Sequence, residues 1–130
     1  MALTLPMLLV VLLAIVDFGF LFQRYEVITN AAREGVRYSS RMNVTGPQVE
    51  THVINYVADA GLPNAPLVNV AATTLSANGV NWPATEVTVT YDHQFTFLGP
   101  FAAFVGGSFG TTSLAAQSVM RTELPLPGTP

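Results

Sequence analysis

Apolar positions run almost unbroken from residue 1 to residue 22, then recur every three to four residues, and finally alternate with polar ones in short stretches. These patterns predict, in turn, a bilayer-length helix, its amphipathic continuation, and a β-rich C-terminal part. Fourteen of the residues 1–22 are Leu, Ile, Val or Phe, and the one ionisable side chain among them is Asp17. The stretch matches the ~20 residues that a helix needs to cross a bilayer core. Each apolar residue favours insertion by roughly 0.3–0.6 kcal/mol, and one central Asp opposes it by at most about 3.5 kcal/mol, so insertion wins. Pro6 falls in the first turns, where a missing N–H costs least, and is expected to bend the helix slightly without breaking it.

After Asp17, positions Leu21, Tyr25, Ile28, Ala32, Gly35 and Val36 share one helix face, and Gln23, Glu26, Asn30, Arg33 and Arg37 share the other. The helix is predicted to reach about Ser40 before Asn43 and Gly46-Pro47 end it. A helix of about forty residues spans about 60 Å, more than a domain of this size can cover, so lipid or sister helices must shield the first half. Small residues Ala31, Ala32 and Gly35 permit close backbone approach, either to another helix or beneath the head. An ionisable group in an apolar segment usually faces a partner. For Asp17 the options are Arg24, a cation from a neighbouring subunit, or snorkelling to the interface. The candidate assembly positions are therefore Pro6, Leu9, Leu13, Val16, Asp17, Gly19, Ala31, Ala32 and Gly35, with Asp17, Arg24, Glu26, Arg33 and Arg37 as polar intersubunit contacts.

Thr45 or Gly46 can cap a second helix with apolar stripe Val49, Val53, Tyr56, Val57 and Ala60, closed by Gly61 and Pro63. His52 lies off that stripe and is expected to be solvated. Three strands are predicted, over residues 68–75, 86–97 and 112–122. In the second, Val87, Val89, Tyr91, His93, Phe95 and Phe97 form the apolar face, which places His93 at a core edge as a hydrogen-bonded residue. Residues 76–83 read as a long hairpin connection. Residues 101–105 read as a helical turn over the sheet or an exposed apolar loop. The chain divides into a helix over 1–42, a head over 43–123 and a Pro-rich tail over 124–130. The fold class is α+β, a long N-terminal hydrophobic helix followed by a short helix and a small antiparallel sheet.

Composition narrows the functions. Charged residues make up 10% of the chain, and the absence of lysine with a net charge of -3 argues against nucleic acid. Without cysteine there is no disulfide, thiolate metal site or thiol nucleophile. The scattered carboxylates offer no paired-acid site or cation cage, so no catalytic residue, cofactor or metal is expected. Gly106-Gly107-Ser108-Phe109-Gly110 fits the G-x-S-x-G pattern of hydrolases, but no histidine follows Ser108 to act as base. Asn43-Val44-Thr45 fits the glycosylation triplet at an exposed turn, making Asn43 the candidate acceptor. A cleaved signal peptide fits less well than a retained helix, because the segment lacks a basic leading region and an A-x-A-like site. By the positive-inside rule alone, Arg24, Arg33, Arg37 and Arg41 would put the head in the cytoplasm; a basic flank upstream of Met1 would reverse this.

Three blocks carry a family likeness: Ala2-Leu3-Thr4-Leu5-Pro6, Ile15-Val16-Asp17-Phe18-Gly19, and above all Thr29-Asn30-Ala31-Ala32-Arg33-Glu34-Gly35-Val36-Arg37-Tyr38. In these the first forty or so residues resemble the TadE-like pseudopilins of the tight-adherence secretion system. The head agrees only in its valine-rich strands and a final strand ending Ser118-Val119-Met120-Arg121-Thr122-Glu123. The resemblance implies a pilin-like subunit of the bacterial inner membrane whose head lies outside the cytoplasm. Its partners would be copies of itself or other pilins, the membrane before assembly, and the pilus secretion machinery; assembly would carry it to an extracellular pilus used in adhesion. The processing glycine and the glutamate that the family usually carries before the position of Met1 are not in this sequence, which is expected of a processed product or a late start. A monomeric membrane-anchored accessory or binding module is the rival reading, and a secreted enzyme a weaker third.

Overall fold

The computed structural model describes residues 2–41, 43–108 and 110–122. Two helices, a β-hairpin, a short helix and a last strand follow one another along the chain: α1 (Thr4–Ser39), α2 (Gly46–Asp59), β1 (Leu67–Ala77), β2 (Val80–His93), α3 (Leu98–Phe104) and β3 (Thr112–Arg121). The fold is α+β. The tail over 124–130, and Glu123 before it, lie outside the described residues.

α1 runs unbroken through Pro6, its third residue, where no backbone N–H is owed to the helix. At its far end the Ser39 and Ser40 hydroxyls donate to the carbonyls of Val36 and Arg37, each at 2.7 Å, which satisfies acceptors in the last turn. Asn43 takes a positive φ of 63° in the turn that follows. Thr45 is the N-cap of α2, and its N–H donates to Gln48 Oε1 at 2.9 Å, the arrangement of a capping box. At the other end Gly61, at φ 87°, closes α2 with N–H bonds from Gly61 to the Ala58 carbonyl and from Leu62 to the Val57 carbonyl.

The sheet is antiparallel in the order β1-β2-β3. Its odd-numbered β2 positions Thr85, Val87, Val89, Tyr91 and His93 are all buried against the helices, the alternation expected of a half-buried strand. Val49, Val53 and Val57 of α2 meet Ile28, Ala31, Ala32 and Val36 of α1 and Val87 and Val89 of β2 in one core. Among the described glycines Gly35 is the most closely packed: a Cβ there would come within 2.7 Å of Val53 Cγ2 and 3.0 Å of Val87 Cγ1. Glycine at this position lets α1 approach the helix and the sheet together.

Three local expectations change. The hairpin connection is short, because β1 and β2 run on to Asn78-Gly79, both at positive φ (53° and 77°), as a two-residue primed turn requires. β2 ends at His93 instead of residue 97, because the backbone at Thr96, Phe97 and Leu98 turns to meet a carboxylate. His52 is half-buried, stacked on the Tyr38 ring at 4.1 Å with Nε2 3.5 Å from Glu34 Oε1, because a planar ring beside the stripe covers the α1 surface better than water does.

Candidate assembly surface and rod–head joint

The head covers one stripe of α1 from Asp17 to Ser39, through Leu21, Arg24, Ile28, the pair Ala31 and Ala32, and the pair Gly35 and Val36, at three- to four-residue spacing. Above Asp17 the helix is a bare rod. Leu5, Leu8, Leu9, Leu12, Ile15 and Val16 are exposed, Leu13 is half-buried, and Gly19 has nothing within 4 Å of where a Cβ would lie. The most apolar window of α1 has a mean hydropathy of 2.6 and is only 6% buried within the chain. Five such side chains left in water instead of being covered would cost about 10 kcal/mol at about 2 kcal/mol each. That rivals the whole stability of an ordinary domain. Lipid or protein must cover this surface.

Of the assembly candidates, Pro6, Leu9, Leu13 and Val16 lie along this rod, and Gly19, two residues past Asp17, is also exposed. Ala31, Ala32 and Gly35 face the chain's own α2 and sheet; all three are buried under the head, where their small size admits Val53 and Val87. Asp17 also turns out differently from an intersubunit contact. It is 1% exposed and accepts three backbone N–H groups from its own chain. Thr96 N–H donates to Oδ1 at 3.2 Å, Phe97 N–H to Oδ2 at 2.9 Å and Leu98 N–H to Oδ2 at 2.7 Å. These are the donors at the start of α3, whose own N-cap residue is Phe97 and offers no side-chain acceptor. Asp17 therefore caps a helix about eighty residues away in sequence, doing from a distance what a Ser, Thr, Asp or Asn at the N-cap does locally.

Two helical turns further on, Arg24 Nη1 donates to His93 Nδ1 at 2.8 Å. This bond assigns the ring proton of a neutral His93 to Nε2, which has no hydrogen-bond partner among the described residues. Burial, first, and the Arg24 charge, second, push the His93 pKa below its ordinary value; the Asp17 carboxylate pulls the other way. Phe95 packs edge-on against His93 at 5.0 Å and against Phe18 at 6.2 Å, closing the joint with rings. The joint thus has two ties, Asp17 to α3 and Arg24 to the end of β2.

The remaining polar candidates lie outward. Glu26 and Arg33 are exposed, and Arg37 is exposed with Nη1 3.7 Å from Glu34 Oε2, a surface pair of small energetic value. Asn43 is exposed, although Thr45 of its triplet is engaged at the cap of α2. Ser108 sits between a helix and a strand, the reverse of the strand-to-helix elbow that its motif requires. Among the described residues no group of three or more His, Asp or Glu side chains could hold a metal ion.

A bare apolar rod joined to a small α+β head is the shape that the N-terminal blocks imply. Residues 1–37 match the family model of the TadE-like proteins. The TadE-like match covers the bare rod, the Asp17 and Arg24 side of the joint and the Ala31–Gly35 packing face, and stops before the loop that leads to α2. No curated protein and no solved structure matches the chain. The TadE-like match and the apolar helix support a membrane-anchored protein associated with the pilus machinery.

Proposed function

We propose that the chain is a structural, non-enzymatic pilin-like subunit that inserts in the inner membrane through α1 and then assembles through the same rod into a pilus. The observation that carries this reading is the bare surface of α1 above Asp17, 6% buried over its most apolar window, against the close packing of the same helix below. A core helix would be covered along its whole length. A cleaved signal is disfavoured by the joint, since removing residues 1–22 would take Asp17 away and leave three N–H groups of α3 without their acceptor. In the membrane, lipid covers the rod; in the filament, sister rods replace lipid and the heads form the outer coat. Lipid is as apolar as leucine, so this exchange depends on side-chain packing and on the assembly machinery more than on the hydrophobic effect.

Electron microscopy of material sheared from cells that express the chain together with its secretion machinery tests the proposal. Filaments that label with antibody to the head support it. Chain retained wholly in the membrane fraction, with no labelled filaments, replaces it with the membrane-anchored accessory.

A further inference from the structure

We infer that α3 is a second membrane contact, a short apolar foot by which the head sits in the lipid interface beside α1; this rests on reading α1 as a membrane span. The depth of α3 is fixed by the joint. The Asp17 carboxylate holds its N-terminus, and Asp17 lies five residues short of Phe22, the end of the apolar run. At 1.5 Å per residue that is about 8 Å inside the point where the rod's apolar surface gives way to Gln23 and Arg24. With the rod immersed to Phe22, α3 begins below the hydrocarbon boundary.

The chemistry of the segment fits that depth. No ionisable residue occurs from 94 to 120. Leu98 and Ala102, one turn apart, face inward, whereas Phe97, Phe101, Phe104 and Val105 are exposed, Phe104 to 90%. Both ends of its backbone are largely tied, which suits an element at membrane depth, since an unmet N–H or C=O in lipid costs several kcal/mol. Asp17 takes the first N–H groups. At the other end the Gly107 N–H donates to the Ala102 carbonyl at 2.7 Å and the Gly106 N–H to the Ala103 carbonyl at 3.3 Å, a Schellman closure with Gly106 at φ 81°. The rod beside it is covered by lipid in the membrane form, and an apolar helix face at the same depth meets the same solvent. This one is uncharged throughout and continuous with the apolar rod, so lipid is its occupant.

The absence of cysteine makes the test direct. Single cysteines at Leu9→Cys, Phe104→Cys and Ser76→Cys, each carrying an environment-sensitive fluorophore, are placed one chain per nanodisc, with nitroxide lipids whose spin label lies near the headgroup end of the acyl chain. Labels at 9 and 104 are expected to lose most of their emission, and the label at 76, near the hairpin tip, to keep it. Quenching at 9 with none at 104 overturns the foot and leaves the span standing. Loss of quenching at both overturns the span, and the foot with it. A shift at 104 that needs several chains per disc, without lipid quenching, overturns the foot in favour of contact between copies.

Discussion

Replacing Asp17 with leucine separates the two roles that an acidic residue in this helix can have. The three N–H groups of Thr96, Phe97 and Leu98 bond to its carboxylate at distances down to 2.7 Å. Hydrogen bonds to a charged acceptor contribute roughly 1.5–3 kcal/mol each, which would exceed about 4 kcal/mol for three if α3 stayed in place. A short helix can instead undock and hydrate its donors, so the loss is limited to about 3–5 kcal/mol, the usual cost of removing one side of a buried polar tie. Leucine simultaneously favours membrane insertion by up to about 4 kcal/mol relative to an unpaired central Asp. The two effects oppose each other, and weaker anchoring cannot explain a looser head. Amide hydrogen exchange of the full chain in nanodiscs reads the outcome. Thr96, Phe97 and Leu98 should lose protection by about 100-fold or more, since each 1.4 kcal/mol is about tenfold. Val87 and Val89, in the sheet core, should change little. Asp17→Asn keeps one acceptor oxygen and should fall between. Unchanged protection at residues 96–98 in Asp17→Leu would refute the capping role.

Gly35→Val should destabilise the head by roughly 2 kcal/mol or more, because overpacking a full core costs typically about 1–3 kcal/mol and the neighbours Val53 and Val87 already stand at contact. Gly19→Ala, in open space, should leave the melting temperature of the head unchanged, and equal losses at both sites would contradict the packing at Gly35. The joint should also respond to acid. His93 has its pKa lowered by burial and by Arg24, against Asp17, with the Tyr91 ring packed near Arg24 and no charged side chain on α3 or on β3 up to Met120. The unfolded chain therefore takes up a proton near pH ~6.5 that the folded chain refuses. Stability is full above that value and is lost as pH falls from it toward the lowered folded pKa. Urea unfolding followed by Trp82 fluorescence should show the midpoint dropping over that window, with a flatter profile in His93→Gln; an unchanged profile would refute the assignment. Arg121 lies 3.7 Å over the Trp82 ring, so Arg121→Gln should shift that emission at a cost of about 0.5–1 kcal/mol, read from the same unfolding curves.

The rod, the second helix and the three strands are legible in the sequence because each repeats a simple period over many residues. The joint is not, because it ties residues that are about seventy and eighty positions apart, Arg24 to His93 and Asp17 to Leu98. One local signal does exist. Asp17, Leu21, Arg24, Ile28, Ala31 and Gly35 step by four and three along a single stripe, and extending the head-facing pattern back from Ile28 puts both charges on it. Read as a break in an apolar run, Asp17 looks like a residue waiting for another subunit. The same period places Ala31, Ala32 and Gly35 beneath the head. The end of β2 is obscured for a related reason: Phe95 and Phe97 keep the alternation, but the carboxylate draws the backbone of residues 96–98 out of the ladder. The hairpin is a simpler case, since Asn78-Gly79 reads as part of a loop when it is the whole turn.

The reading of α1 stands or falls on whether its bare half is the surface that sister subunits share in the assembled state. Cysteine crosslinking of sheared surface material tests it most directly. Leu9→Cys and Leu12→Cys, both on the exposed rod, should each give crosslinked dimers and, combined in one chain, ladders beyond dimers, while Ala31→Cys, buried beneath the head, should give none. Crosslinked dimers missing at both rod positions, in material that still contains the chain, would contradict the shared-rod packing.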